Sequence, residues 1–430
     1  MKKPLLTIFA FTAIALSACK KDHPVNVVAE YPNMAEAADP KLLMTTPDGV
    51  KVYNGGFGSA IAADHKDPNV FYLLTDRGPN AAGAVTDAII FGKADFTPEI
   101  GKFRLKDGKL VLEQTIELKN ASGQKLNGLP NPAGEGATGE IAFDLSGKQI
   151  APSIDGIDSE GMVLAADGSF WISDEYGPHI VHFDASGKTL ERINPFGTGT
   201  GGRKIPLVFA KRKPNRGMEG LTITPDGKTL IGMMQSPMLN PTKAAASNST
   251  ILRILTFDIQ SGATKQYAYV MDNVTLTGVS DIVAVNSTTF LTIERDGLYG
   301  GAPTNPATFK KVFKINIDGA TDISDAANSA TGKLYGGKTV EELNDNAGLQ
   351  TAGITPVSKT LVLDLLKDLP TVYPHDKAEG LALLPGNILA ISNDDDFGVL
   401  DNGKGGFNPK ILPATNSVDH NRVYFVKIKL

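Results

Sequence analysis

The chain has 430 residues, 41% of them apolar and 21% charged, the balance of an ordinary globular protein. Its net charge of −5 excludes the basic face that nucleic-acid binding demands, and its single cysteine excludes an internal disulfide. Stability must therefore come from burial, and 45 glycines with 26 prolines suit a fold with many tight turns.

At the N-terminus, Lys2 and Lys3 precede an apolar run over residues 5–16 and the tetrapeptide "LSAC", which ends in Cys19. A run this short cannot span a bilayer and has the length of a secretory h-region. The stretch resembles a bacterial lipoprotein signal. That resemblance implies a signal peptide over residues 1–18, lipid on the Cys19 thiol and a tether over residues 19–24. Lys20 follows the cysteine in place of an aspartate, which implies sorting to the outer membrane, with the lipid as the chain's only membrane contact.

Residues 25–430 read as all-β. The early strand "VNVVAEY" (residues 25–31) is expected to pair with the C-terminal "RVYFVKIKL". Between them a hairpin recurs: "SAIAADHKDPNVFYLLTDRG" from Ser59, "EGMVLAADGSFWISDE" from Glu160, "EGLTITPDGKTLIGMMQS" from Glu219, "SDIVAVNSTTFLTIERDG" from Ser280 and "EGLALLPGNILAISNDD" from Glu379. Each joins two short apolar runs through a turn such as Asp-Gly or Pro-Gly, a strong hairpin signal. Further alternating runs follow most hairpins, so each unit reads as about four antiparallel strands. The leaders are 101, 59, 61 and 99 residues apart; the two long steps hold insertions such as "NGLPNPAGEGATG" and "GGKTVEELNDNAGLQTAG", or a diverged unit. Repeated four-stranded units predict a β-propeller of five to seven blades. A tandem of β-sandwiches would leave the recurrence of acids at one phase unexplained.

An antiparallel hairpin brings the start of its first strand beside the end of its second. The pattern thus predicts an acidic ring near the propeller axis, with Glu160, Glu219 and Glu379 from first strands and Asp76, Asp174, Glu175, Glu294 and Asp394 from second strands. Two like charges 4 Å apart repel by about 4 kcal/mol at an effective dielectric near 20, so such a ring needs protons, bases or a cation. Arg77 and Arg295 stand at the same phase. Oxygen-rich sites without His or Cys suit Ca²⁺ or Mg²⁺, and "NDDD", with Asp394, Asp395 and Asp396, is the densest oxygen cluster. Asp76 and Glu294 complete the expected ligand set. A second reading keeps the acids as strand caps and turn formers. The basic stretch "GRKIPLVFAKRKPNRG", which includes Arg216, is a solvated loop or the cover of the ring. No G-x-S-x-G or H-E-x-x-H motif occurs. Trp171 reads as core.

The blocks "DSEGMVLAADGSFWISDEYGPHIVHFDASGK", "RGMEGLTITPDGKTL" and "AEGLALLPGNILAISNDDD" resemble the phytase-like family, described by its esterase-like activity of phytase. The resemblance implies hydrolysis of a small phosphorylated substrate, with Glu160, Asp174, Glu175, Glu219 and Glu379 as the acidic residues that carry it. Arg77, Arg295 and Arg216 would clamp the phosphate. After Glu219, "GMMQS" replaces Ser-Asp-Glu, so that unit departs from the pattern. A lactonase of the gluconolactonase type and a non-catalytic binding propeller remain as alternatives.

Overall fold

The computed structural model describes residues 30–273 and 278–430. The signal, Cys19 and the tether lie outside these residues, as do residues 25–29 of the early strand.

Five four-stranded antiparallel units follow the five expected hairpins; three are separate sheets, and those of blades 1 and 5 join through a short parallel pairing of Glu36 and Ala37 with Lys109 and Leu110 into one eight-stranded sheet. Blade 1 comprises Ala60–Ala63, Val70–Leu74, Glu99–Lys106 and Lys109–Glu117. Blade 2 comprises Ser159–Leu164, Phe170–Asp174, His179–Phe183 and Thr189–Ile193. Blade 3 comprises Met218–Ile223, Thr229–Met234, Ile251–Asp258 and Thr264–Val270. Blade 4 comprises Gly278–Ala284, Thr289–Arg295, Lys310–Asn316 and Ser358–Asp364. Blade 5 comprises Leu381–Leu384, Ile388–Ser392, Arg422–Lys427 and, from the other end of the chain, Met34–Ala37.

The first strands touch one another in the order of blades 1, 2, 3, 4, 5 and back to 1, so the blades close into a propeller. Apolar clusters fill the gaps between blades. Trp171 packs with Leu221, Leu230 and Leu255 between blades 2 and 3, a core role as its strand position predicts. The recurring Glu-Gly pair has a packing cause. A Cβ on Gly161 would lie 2.4 Å from the Leu221 nitrogen, and one on Gly380 would lie 2.7 Å from that of Ile61. Only glycine lets neighbouring first strands approach this closely around the axis.

The closing strand is displaced from its expected position. Among the described residues it is Met34–Ala37 that pairs with the C-terminal strand, with Met34 opposite Tyr424. Tyr31 instead stacks on Phe425 at a centroid distance of 4.9 Å. The alternation that matters is that of "MAEA", where Ala35 is buried and its neighbours are less so.

Neither long step conceals a sixth blade among the described residues. The first supplies the outer strands of blade 1 and a small sheet of Asn80–Ala82, Ala88–Phe91 and Ile141–Asp144. In the second, Ile323, Val340, Leu349 and Ile354 pack on Ile251 and Ala268 of blade 3. There a fully buried Arg253–Glu341 pair, 2.7 Å apart, fastens it. That insertion covers outer strands and stays clear of the axis.

Candidate functional site

Two positions of every hairpin face the axis. The leader position holds Ser59, Glu160, Glu219, Ser280 and Glu379. Strand registers place Asp76, Glu175, Gln235, Arg295 and Asp394 at the matching end of the second strand. Ladder irregularities beside the leaders of blades 2, 3 and 4 re-aim these side chains. Because side chains alternate along a strand, the residue just before each second-strand position points away: Thr75, Asp174, Met234, Glu294 and Asn393.

That alternation corrects two of the expected ring members. Glu294 lies off the axis, where it pairs with Lys359 and accepts from the Tyr269 hydroxyl. Asp174 lies behind the ring, 2.6 Å from His179 Nδ1 and 3.3 Å from Arg192 Nη2. Asp395 also leaves the ring, since its Oδ1 accepts from the N–H groups of Gly56 and Phe397. Of the others, Glu160 and Glu175 meet in one group and Asp76, Asp394 and Asp396 in a second, while Glu379 pairs with Arg295 and Glu219 stands beside the first group.

In the first group Asp158, Glu160 and Glu175 each offer an oxygen within 4.8 Å of the others. Glu175 accepts from Gln235 Nε2 at 2.7 Å and shares a hydrogen bond with Glu219. Burial pushes Glu160 and Glu175 well above the usual carboxylate range, and the adjacent Glu219 adds to it. Burial lifts Asp158 to about 7, against the pull of Arg77. Three buried polar atoms at ring positions lack a hydrogen-bond partner: Glu219 Oε2, Gln235 Oε1 and Ser59 Oγ. An all-oxygen set with unsatisfied acceptors fits a hard divalent cation.

The second group is Asp76, Asp394 and Asp396, again within 4.8 Å of one another. Here lysines are built in. Lys377 Nζ lies 2.6 Å from both Asp394 and Asp396, and Lys410 Nζ lies 2.6 Å from Asp396. Burial works against the Asp396 charge, yet the two lysines hold it well below the usual range. Burial raises Asp394 to about 7 and pushes Asp76 up as well. Asp394 and Asp396 thus carry counter-charge already, so this group, which also brings three carboxylates together, needs a cation less than the first does.

The basic residues divide similarly. Arg77 is bound on every side, by Glu140 and Asn215 through Nη1, by Asn80 through Nη2 and by Asp158 beside Nε. Arg295 donates from Nε to Ser280 Oγ at 2.8 Å and from Nη2 to Glu379. The basic loop does reach the ring, but through Asn215 and through Arg212, which donates to the carbonyls of Tyr176, Gly136 and Ala137. Arg216 is half-buried in the turn closed by its own N–H to the Lys213 carbonyl. Asp158 and Lys377 belong to the ring although the repeat's leaders do not include them. Each stands two residues before a leader glutamate, in "DSEG" and "KAEG", so extending the alignment two positions back finds both.

The family model for esterase-like activity of phytase matches residues 53–397. The chain belongs to the phytase-like family. An uncharacterized secreted protein of Arthroderma benhamiae is 29% identical over 273 residues, which cover 50% of this chain and 51% of that protein. The match thus spans about half the length of this curated relative. Among solved structures, virginiamycin B lyase from Staphylococcus aureus covers 87% of this chain and 95% of its own, at 11% identity and a TM-score of 0.35. The PQQ-bound aldose sugar dehydrogenase of Streptomyces coelicolor covers 93% and 100%, at 10% identity and a TM-score of 0.32. The phytase-like match takes in all five hairpin leaders and both acidic groups.

Proposed function

We propose that the chain is a metal-dependent phosphoester hydrolase, with one divalent cation, Ca²⁺ or Mg²⁺, held by Asp158, Glu160 and Glu175. The observation that carries this reading is a buried carboxylate triple whose oxygens converge within 4.8 Å with no lysine among them. A cation bound there supplies an acidified water and draws electrons from a phosphoryl oxygen. Glu219, next to the triple and with Oε2 unpartnered, would act as the general base for the attacking water. Arg295 and Lys377, on blades 4 and 5, are the bases of the opposite wall; each is paired there with a carboxylate, and they would meet phosphate oxygens by exchanging those partners. Arg77 serves to hold Asp158 and the residues around the ring rather than to clamp substrate. The lipoprotein-like N-terminus and the secreted relative support a place in the cell envelope, with a lipid on Cys19 and the outer membrane as the proposed site.

Ring burial favours a second reading. Glu160 is 9% exposed, Glu175 5% and Glu219 2%, which suits a structural ion in a binding propeller. One experiment separates them. The chain from Lys20 to Leu430, stripped by chelator, is melted with increasing Ca²⁺ and assayed against p-nitrophenyl phosphate, its diester and phytate. Binding to the native state alone raises the midpoint. A rise lost in E160Q, together with Ca²⁺-dependent phosphate release, supports the hydrolase. A rise without turnover selects the structural ion, and no rise with either cation sinks both. Turnover of a lactone that survives R295E would select the lactonase instead.

A further inference from the structure

Asp174 is completely buried, one residue before Glu175, on the strand face turned from the axis. Its Oδ1 accepts from the N–H of Asp158 and from that of Tyr176, both at 2.9 Å. The Asp158 carbonyl in turn accepts from the Glu175 N–H at 2.9 Å. A single carboxylate thus ties together the two backbone segments that carry Asp158, Glu160 and Glu175.

The other oxygen is held from outside the ring by His179 and Arg192. Those two are themselves anchored. His179 Nε2 meets the Glu135 carbonyl at 3.1 Å, and Arg192 donates to the carbonyls of Ile154 and Gly156 at 3.1 and 2.7 Å. The same strand position in other blades does something else. Thr75 bonds to the Glu99 backbone, Glu294 meets Lys359, and Asn393 Oδ1 accepts from the Arg422 N–H. Only blade 2 uses it to clamp its own ring segments.

We propose that Asp174, held by His179 and Arg192, is the positioning residue that sets the Asp158, Glu160 and Glu175 carboxylates for the cation without touching it. This rests on the cation reading above. Partners one shell out from a metal typically change its affinity by about 10- to 100-fold.

The test uses Glu294 as an internal control, since it occupies the equivalent position on blade 4 and is as deeply buried. D174N and E294Q are stripped by chelator and compared with wild type for melting temperature and for Mn²⁺ affinity by electron paramagnetic resonance. Both variants are expected to melt lower without metal. Only D174N is expected to bind Mn²⁺ at least about tenfold more weakly. An affinity loss in D174N no greater than in E294Q overturns the proposal. R192Q guards against a D174N chain that does not fold; it keeps the Asp174 clamp but removes its charge partner, and an affinity within about twofold of wild type counts against the proposal. Absence of Mn²⁺ binding to wild type is a different result, which overturns the cation reading and this proposal with it.

Discussion

The hairpins of blades 2 and 5 present the same three positions to the axis and fill them differently. Blade 2 offers Asp158, Glu160 and Glu175; blade 5 offers Lys377, Glu379 and Asp394. Exchange of one acid for one lysine turns an unbalanced triple into a neutralised one. In blade 5 the Lys377 ammonium sits 2.6 Å from Asp394, and Arg295 from blade 4 reaches Glu379. In blade 2 Arg77 reaches Asp158 at 3.6 Å and is committed to Glu140. A propeller thus sorts its repeats into scaffold and site by substitution at a shared position, with the backbone unchanged.

Removal of the lysine should produce the largest effect. K377M leaves Asp394 and Asp396 with Lys410 as their remaining base, and loss of one partner of a buried pair costs about 3 kcal/mol or more. Urea melts in chelator should show that loss. Added Ca²⁺ is expected to recover part of it, because the variant blade 5 then resembles blade 2. A melt indistinguishable from wild type would mean that the lysine does not balance these acids.

Much of this comparison was legible in the repeat, and the part that was not has a physical cause. Leaders, turns and five units follow from alternation and Asp-Gly or Pro-Gly punctuation, which are local signals. The direction of a side chain at the end of a strand is less local. "SDE", "ERD" and "NDD" each put polar residues at adjacent positions, and pairing register decides which one faces the axis. Glu175, Arg295 and Asp394 point in; Asp174, Glu294 and Asn393 point out. Lys410 carries no repeat signal at all, since it arrives from the excursion between Ile388–Ser392 and Arg422–Lys427 of blade 5. The closing strand shifted for a similar reason, as "VNVVAEY" and "MAEA" both alternate and only tertiary pairing chooses between them.

A second variant sharpens the contrast from the blade 2 side. D158N removes one charge from the triple and keeps an Oδ1 to accept from the Arg77 N–H, a contact of 3.3 Å. Buried like charges repel, so the chelator-treated variant should melt at or above the wild-type temperature, opposite in sign to K377M. Its Ca²⁺ response should weaken by at least about tenfold, comparable to or beyond the effect of partners that lie outside a metal's ligands. A lower melting point together with an intact Ca²⁺ response would reverse the assignment of the two triples.

The effect that depends on pH alone concerns the next position along each hairpin, where blade 2 has Tyr176 and blade 5 has Asp395. Burial lifts the Asp395 carboxyl to about 8, and Asp419 and Asp394 add to the shift. An unfolded aspartate titrates near ~4. A group whose folded value is raised contributes stability that is fully present below the unfolded value and lost as pH rises through the folded one. D395N retains an acceptor for the Gly56 and Phe397 N–H groups and has no proton to lose. The variant should therefore melt close to wild type near pH 4, and the gap in its favour should open with rising pH and level off above 8. In so large a chain each kcal/mol of that gap moves the midpoint by only about 1 °C. Melts at pH 5, 7 and 9 in chelator measure it. A constant offset across that range would mean that Asp395 is already ionised in the fold, with its two backbone N–H donors sufficient to hold the charge.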